Sequence, residues 1–245
     1  MATKGIQLKT IQFISRSEYH FKVAEKPFPA SQAVPEWWRV SPSYVNAETQ
    51  TPEKKLRLKN RVANLGFKKC TPMLDGLLSG YIVPLWADVE VHMENTEPII
   101  NWRVKQPVFQ EHGTQASDVP NPDGYHKTVF KYMNAWRIKT PPGYSLLVVE
   151  PLGYRSLPFR PIPAVIDTDV SILELLFPVW VKDGIDEVVE AGTPIVQIIP
   201  FKRDSWVSEF IEETKEDYDV LEDVNFGKHI INHYNRRMRQ NKSYK

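Results

Sequence analysis

Residues 128–150 of the chain read TVFKYMNAWRIKTPPGYSLLVVE. Three short runs in this stretch, 129–133, 136–139 and 145–150, are rich in β-branched, aromatic and aliphatic side chains. Each run is bounded by residues that favour turns, and runs of about four to eight such residues between turns are typical of β-strands. We therefore predict three consecutive strands in this stretch.

The same pattern continues along most of the chain. Short apolar runs recur at similar intervals on both sides of this stretch. Regular spacing of this kind predicts an all-β sandwich, barrel or jelly roll. The further strands that we predict cover residues 6–14, 81–91 (a strand pair with its turn near Trp86), 99–104, 164–167, 177–181 and 194–199.

The composition agrees with a folded protein rich in β-strands. Of the 245 residues, 42% are hydrophobic and 25% are charged, which are ordinary values for a globular protein. Proline (20 residues) outnumbers glycine (11 residues), which favours short extended segments over long helices. The formal net charge of +1 produces no global field that would attract nucleic acid or a membrane surface.

The single cysteine, Cys70, has no partner for an internal disulfide and cannot build a four-cysteine zinc site. A reducing compartment is the simplest interpretation of this cysteine usage. No apolar run approaches the roughly 18 residues of a membrane-spanning helix. We therefore expect a soluble, cytoplasmic protein.

We predict a single β-rich domain over residues 1–245. Residues 1–70 would form an N-terminal arm with a basic loop, and residues 71–206 would form the β core. Residues 207–245 would form a tail that is first acidic and then basic.

Two helices are predicted outside the strands. Thr71 is a suitable cap and Pro72 is favoured at a first helical position, so we predict a short helix over residues 72–78, with Gly80 as its stop. A second helix, packed on the sheet near the C-terminus, is predicted from the helical spacing of Ile230, Ile231, Tyr234 and Met238.

Three motifs follow one another between residues 141 and 206: Pro141-Pro142-Gly143-Tyr144-Ser145, Val165-Ile166-Asp167-Thr168-Asp169 and Gly192-Thr193-Pro194-Ile195-Val196-Gln197. In this order and spacing they resemble the deoxyuridine triphosphatase and deoxycytidine deaminase superfamily. The resemblance implies a mainly β fold, a jelly-roll or β-clip-like barrel with N-terminal decorations and a C-terminal helix. It also implies a homo-oligomer, with a trimer by analogy.

The resemblance implies a catalytic role for Asp167, which matches the family's water-activating aspartate. Asp167 and Asp169 share one face of a strand, because side chains repeat every two residues, and such a pair is suited to bind Mg²⁺ or to share a proton. The alternative interpretation is a turn at the end of a strand. The candidate ligand-binding residues are Tyr144, Ser145, Arg155, Ser156 and Gln197.

The catalytic pattern of that superfamily is incomplete in this chain. Pro151-Leu152-Gly153 stand where the family has its phosphate-holding Arg-Ser-Gly motif, and Arg155-Ser156 lie nearby but out of register. Val170 replaces the tyrosine that stacks on uracil, and the glycine-rich C-terminal arm is replaced by the charged tail. Gln197, if it points inward, must place its amide on a backbone group.

A second set of motifs extends over the whole chain: Cys70-Thr71-Pro72 with Asp75, Gly80-Tyr81-Ile82-Val83-Pro84, Asn134 to Ser145 and Ile199 to Trp206. With these the chain resembles an uncharacterised family of bacteria and tailed phages, especially T4-like phages of marine cyanobacteria. This resemblance implies an origin and no chemistry. For a phage protein the expected location is the host cytoplasm, with the virion as the alternative.

Several other residues are candidates for a site, each beside a structural alternative. His229 and His233 are spaced to share one helix face and ligate a metal, or they belong to an ordinary exposed helix. His112 and His126 lie in or beside a polar loop and are candidates for a metal site or an acid–base site. At the predicted helix start, we expect Cys70 to be a buried structural thiol rather than a reactive one.

Two segments near the N-terminus have two interpretations each. The pair Trp37-Trp38 either wraps over the domain or forms an aromatic platform for a ligand. The basic run over residues 54–69 either faces phosphate groups or forms a solvated surface.

Three functional hypotheses remain open, and whether the protein is an enzyme stays open with them. The one we favour is a small-molecule binder, with a nucleotide as the candidate ligand, on a degenerate triphosphatase-like fold. The second is a virion structural, assembly or host-interaction protein that uses the paired tryptophans and the charged tail as contact surfaces. The third is a nucleotide phosphohydrolase with a site rebuilt around Asp167, Asp169 and Arg155.

Overall fold

A computed structural model describes residues 9–43, 66–113, 118–171, 173–214, 234, 238–240 and 242–245. The chain divides into two compact units. The first draws on Met1–Ala33, Ser79–Arg203 and Tyr244–Lys245, and the second on Val34–Leu78 and Asp204–Ser243. The single-domain organisation predicted from the sequence stays a prediction.

Strands dominate the first unit. In the described residues they are β1 (Gln12–Ser15), β2 (Phe28–Pro29), β3 (Tyr81–Pro84), β4 (Val89–Glu94), β5 (Glu97–Trp102), β6 (Phe109–Glu111), β7 (Tyr125–Met133), β8 (Trp136–Lys139), β9 (Tyr144–Val149), β10 (Phe159–Pro161), β11 (Ala164–Ile166), β12 (Leu176–Lys182), β13 (Glu187–Val189) and β14 (Pro194–Lys202).

Helices are short and few in the described residues. They are α1 (Glu18–Val23) in the first unit, and α2 (Glu36–Val40) and α3 (Thr71–Leu77) in the second, with 3₁₀ turns at Ala30–Gln32 and Phe67–Lys69. No helix in these parts of the chain is both long and apolar enough to cross a membrane.

All pairings between the described strands are antiparallel. The largest sheet has five strands in the order β11-β9-β14-β3-β2, and the next has four in the order β10-β12-β7-β6. Smaller sheets contain β13-β4-β5 and β1-β8. The predicted mainly β, jelly-roll-like class is therefore confirmed, although the described strands form open sheets and no closed barrel.

One hydrophobic core lies within the first unit and draws side chains from all four sheets. Each large side chain that leaves water contributes about 1.5–3 kcal/mol, so a core of this size is the main stabilising term. Its largest fully buried members include Trp86, Tyr132, Phe159, Phe177, Leu146, Ile138 and Ile198.

Tyr132 connects this core to the backbone between β3 and β4. Its ring is fully buried, and its hydroxyl donates to the carbonyl oxygen of Pro84 at 2.6 Å. The same hydroxyl accepts from the backbone N–H of Trp86 at 3.0 Å. Burial raises the pKa of Tyr132, so the hydroxyl keeps the proton that it donates. One side chain thus satisfies two buried backbone groups where the chain leaves β3.

The strand pair predicted over residues 81–91 is wrong in one respect. Both strands exist, as β3 and β4, but they do not pair with each other. β3 pairs with β14 and β2, whereas β4 pairs with β5 and β13. The chain changes sheets at the point where Tyr132 holds its backbone.

The second unit contains the predicted short helix, α3. Pro72 lies in its first turn, as expected, and Cys70 occupies the capping position. Cys70 is exposed, so the expectation of a buried structural thiol is wrong. Asp75 on this helix is buried, and its carboxylate accepts hydrogen bonds from Arg239 at 2.7 Å and Lys242 at 2.9 Å. The bond from Arg239 is the largest contribution that lowers the pKa of Asp75.

The paired tryptophans belong to α2 in the same unit. Trp38 is buried, and its ring meets those of Trp37 and Phe67 edge to face, with centroids 5.7 Å and 6.5 Å away. For Trp38, burial and these ring contacts favour a packing role over an exposed platform for a ligand. The basic residues 54–65 and most of the predicted C-terminal helix lie outside the described residues.

Replacing Tyr132 by phenylalanine tests the hydroxyl bridge. Tyr132→Phe leaves the Pro84 carbonyl and the Trp86 N–H buried without their partner, so we expect the free energy of unfolding to fall by about 1–3 kcal/mol. The measurement is chemical denaturation, with Tyr19→Phe at an exposed ring as the control. Equal stability of the two variants would show that the bridge contributes nothing.

Candidate functional site

The polar residues that follow β11 and β14 meet beside the start of β9. Because β9 runs antiparallel to both neighbours, its first residues lie next to the ends of the other two strands. Ser145 pairs with Phe201 in this register. Asp167 follows the last residue of β11, and Arg203 follows the last residue of β14. The pairing thus brings these three polar side chains to one corner of the five-stranded sheet.

Arg203 is the centre of this corner. Its Nη1 donates to Asp169 Oδ1 at 2.8 Å, and its Nη2 donates to Asp169 Oδ2 at 2.5 Å. Nη1 also lies 3.0 Å from Ser145 Oγ and 3.3 Å from Asp167 Oδ1. A two-pronged arginine–carboxylate pair of this kind is among the stronger hydrogen-bonded arrangements in proteins. We refer to Ser145, Asp167, Asp169 and Arg203 as the Arg203 cluster.

The turn before β9 is fixed to the same cluster. Gly143 has a φ of +82°, a conformation that favours glycine, and its N–H donates to Asp169 Oδ2 at 2.8 Å. Its carbonyl oxygen accepts from the backbone N–H of Arg203 at 2.9 Å. The sequence Pro-Pro-Gly therefore serves to bring a backbone donor and acceptor to the end of β14.

Ser145 lies between the arginine and the second carboxylate. The residue is fully buried, and its Oγ donates to Asp167 Oδ1 at 2.6 Å while it accepts from Arg203. The hydroxyl has its proton committed to Asp167. Among the described residues its side-chain partners are Asp167 and Arg203, and no histidine of the kind that commonly activates a serine nucleophile is one of them.

The two aspartates differ in exposure and therefore in what each is able to do. The side chain of Asp169 is 4% exposed and accepts from both Arg203 and Gly143, whereas that of Asp167 is 58% exposed. Hydrogen bonds from Arg203 hold the pKa of Asp169 well below its usual range, and they raise the pKa of Arg203. Asp169 thus orients the arginine, and Asp167 presents a free edge to solvent.

This donor set does not fit the Mg²⁺ that the paired aspartates suggested. The guanidinium of Arg203 already lies against both carboxylates, and a divalent cation placed there would be repelled by it. Within the parts of the chain that the structure describes, no group of three histidine, cysteine, aspartate or glutamate side chains is placed to hold a metal. We therefore derive no metal-dependent step from this cluster.

Gln197 is on β14, beside the opposite end of β9, and its side chain has a structural role. Its side chain is buried, its Oε1 accepts from the N–H of Leu152 at 2.7 Å and its Nε2 donates to the carbonyl of Ser79 at 2.6 Å. The prediction that a buried Gln197 places its amide on backbone groups is confirmed.

The predicted ligand-binding residues fall into two groups. Tyr144 and Ser145 start β9, whereas Arg155 and Ser156 lie exposed in the loop after it. Gln197 pairs with Val149, four residues and about 14 Å along the strand from Ser145. The structure brings Ser145 together with the two aspartates and leaves the other group at the far end of the strand.

Arg203 is the functional candidate that the sequence interpretation missed. It follows a mainly apolar strand, and its partners Asp169 and Gly143 lie 34 and 60 positions earlier in the chain. Lys9 is a second cation near this end of β9, because its Nζ lies 6.0 Å from the ring centroid of Tyr144. The register of β9 with β14 was the missing information.

The predicted histidine candidates stay predictions. His126 Nδ1 lies 3.8 Å from Glu97 Oε2 and accepts from the N–H of Thr128 at 3.1 Å. His112 Nδ1 lies 3.2 Å from the carbonyl oxygen of Gly113. His229 and His233 lie outside the described residues.

Comparisons of the chain with protein-family models, with curated proteins and with solved structures find no match. The two family resemblances therefore stay predictions.

The Arg203 cluster gives a pH-dependent test. The pKa of Asp169 is lower in the folded chain than in the unfolded one, so its stabilisation is complete above about pH 4 and is lost as the pH falls towards the folded-state value. We expect Asp169→Asn to lower the melting temperature at neutral pH, and the difference from wild type to narrow in acid.

Asp167→Asn is the matched control, because it removes the charge of the exposed neighbour. We expect a smaller loss at neutral pH for this variant. Thermal unfolding followed by circular dichroism between neutral pH and pH 3 checks both statements. A difference that stays constant with pH, or a larger effect at Asp167, would contradict this assignment.

Proposed function

We propose that the protein works by binding other protein chains, as an assembly or interaction protein, and that residues 204–214 form its contact segment. One observation carries this proposal. Four large apolar side chains of this segment lie in solvent: Trp206 is 88% exposed, Val207 96%, Phe210 99% and Ile211 79%.

The exposure is unusual because it is concentrated. Single exposed apolar residues are ordinary on protein surfaces, but a contiguous exposed group marks an interaction surface. Tryptophan and phenylalanine also bury more area on binding than other side chains, and aromatic residues are enriched at interfaces. Residues 203–214, all of them described, form neither helix nor strand.

The Arg203 cluster supports this choice over catalysis. Asp169 is hydrogen-bonded to Arg203, and the hydroxyl of Ser145 donates to Asp167. Asp167 is the carboxylate of this cluster that is largely exposed to solvent. Of the other predicted ligand-binding residues, Gln197 lies four strand positions from Ser145, and Arg155 and Ser156 lie in the loop after β9. A protein-binding function therefore accounts for the exposed aromatic side chains of residues 204–214, which a nucleotide phosphohydrolase leaves unexplained.

Site-specific photo-crosslinking in the cells that express the protein tests the proposal. A photoreactive phenylalanine analogue at Phe210 is expected to form cross-links to protein. The same analogue at Ser208, which is exposed in the same segment, serves as the control. Equal yields at the two positions, or no product at either, would contradict the proposal.

A small-molecule binder, with a nucleotide as ligand, is the second candidate. The observation in its favour is that Asp167 and Arg203, 58% and 38% exposed, present a carboxylate and a guanidinium at one corner of the five-stranded sheet. These groups are suited to hydrogen-bond a ligand with both donors and acceptors.

Titration with deoxyuridine triphosphate, with and without Mg²⁺, tests this candidate. Binding is expected to weaken about tenfold in Asp167→Asn, since a hydrogen bond to a charged group is lost, and to stay unchanged in Asp183→Asn, an exposed control. Native mass spectrometry reads the retained ligand and the subunit count. Hydrolysis that survives Asp167→Asn would show that Asp167 is not catalytic.

A further inference from the structure

Residues 204–214 read DSWVSEFIEET, a pattern that suits an amphipathic helix. At about 100° per residue, the positions of Trp206, Val207, Phe210 and Ile211 cover an arc of about 140°. The remaining arc holds Asp204, Ser205, Ser208, Glu209, Glu212 and Glu213. The spacing i, i+1, i+4, i+5 is that of a helix which places one apolar face in a groove or on a flat apolar surface.

Residues 204–214 are nevertheless not helical in the described structure. A helix of about ten residues is marginal in water, because the first turn is costly to form. Most of the stability of such a helix comes from burying its apolar face. With these side chains in solvent, that contribution is missing. The segment is therefore suited to fold when it docks.

The first unit carries an apolar surface of matching character. Val165, Leu147 and Ile199 lie side by side across β11, β9 and β14, since Val165 pairs with Leu147 and Leu147 pairs with Ile199. Phe201 extends this row, two residues further along β14. We call these four residues the outer row, because the alternate residues Leu146, Val148 and Ile198 point into the core.

Three of the four residues of the outer row are exposed in the single chain, and Ile199 is half-buried. Val165 is 61% exposed, and Leu147 and Phe201 are each 37% exposed. β11 is also the last strand of its sheet in the described residues, so the row reaches an open edge. Such edges are ordinarily covered or charged in proteins, whereas this edge strand presents the exposed Val165 at its middle position.

We infer that the 204–214 segment of one copy folds into a helix on the outer row of a second copy. This inference rests on the proposed function and names the partner. It accounts for two exposed apolar surfaces at once, one on each side of the contact. Every copy supplies both surfaces, so a reciprocal exchange between two copies closes a symmetric dimer, whereas a head-to-tail contact builds a ring or a filament.

The area involved suits a stable assembly. Trp206 and Phe210 together bury about 300–500 Å² when they are covered, and the aliphatic pair and the opposing face bring one contact to roughly 1,000 Å². Two reciprocal contacts in a dimer then fall in the range of about 1,200–2,000 Å² that is usual for stable interfaces.

Charge excludes the simpler alternative of two segments pairing with each other. Residues 204–214 contain four carboxylates and no lysine, arginine or histidine. Two such helices face to face would bring eight carboxylates to the rims of one contact, and like charges in proximity destabilise it. The outer row consists of apolar side chains alone, so docking there leaves the acidic face in water.

Sedimentation velocity on the full chain, over a range of concentrations, tests the inference. We expect wild type to form a discrete oligomer. Glu209→Pro, which breaks the helix, is expected to weaken self-association by about tenfold or more, whereas Glu209→Ala, which removes the same carboxylate and keeps the helix, leaves it intact.

The receiving face has its own matched pair. Val165→Glu puts a charge into the outer row and is expected to weaken self-association by a similar factor. Val188→Glu makes the same change at a valine that is 63% exposed on β13, in a different sheet, and is expected to have no effect. Equal behaviour of these two variants would overturn the inference.

Photo-crosslinking of purified protein locates the contact. With the photoreactive analogue at Phe210 in a mixture of isotope-labelled and unlabelled copies, we expect cross-links between copies that map to β9, β11 or β14. A monomer at all concentrations, or cross-links to another region, would overturn the inference. If the analogue at Phe210 then still cross-links to a different protein in cells, the proposed protein-binding function stands and only the inference of a second copy fails. If it cross-links to no protein at all, the proposed function and the inference both fail.

Discussion

The register between β9 and β14 is the constraint on which the first unit depends. Side chains alternate between the two faces of a strand, so the pairing of Val148 with Ile198 commits both to the core. A slip by one residue would move these buried side chains into solvent, and the burial therefore fixes the register. Ser145 and Arg203 meet because of core residues elsewhere on the same two strands.

That register also separates what the sequence places together. Tyr144-Ser145 and Arg155-Ser156 are about ten positions apart in the chain, yet β9 carries the first pair away from the second. Gln197 belongs with the far group, where it satisfies backbone groups of Leu152 and Ser79. Proximity along a sequence of antiparallel strands is a poor guide to a shared site, since each strand moves its ends about 15 Å apart.

Local patterns predict the strands themselves well. The predicted strand at 136–139 coincides with β8, and the one at 145–150 differs from β9 by one residue at each end. Strand partners are less predictable, because pairing depends on contacts distant in sequence, as the separation of β3 from β4 shows. The candidate site follows the same division: Asp167 and Asp169 are visible as a local motif, whereas Arg203 is connected to them only through the sheet. The predicted burial of Cys70 is wrong because this residue caps a helix that begins at the protein surface.

The four carboxylates of residues 204–214 have a consequence for the isolated chain. A run that combines tryptophan, valine, phenylalanine and isoleucine in extended form is the kind of segment from which aggregates grow. Asp204, Glu209, Glu212 and Glu213 interrupt that run and act as gatekeepers, because stacking identical copies would stack like charges. The same acidic face that stays in water when the segment is docked thus protects the chain while it is undocked.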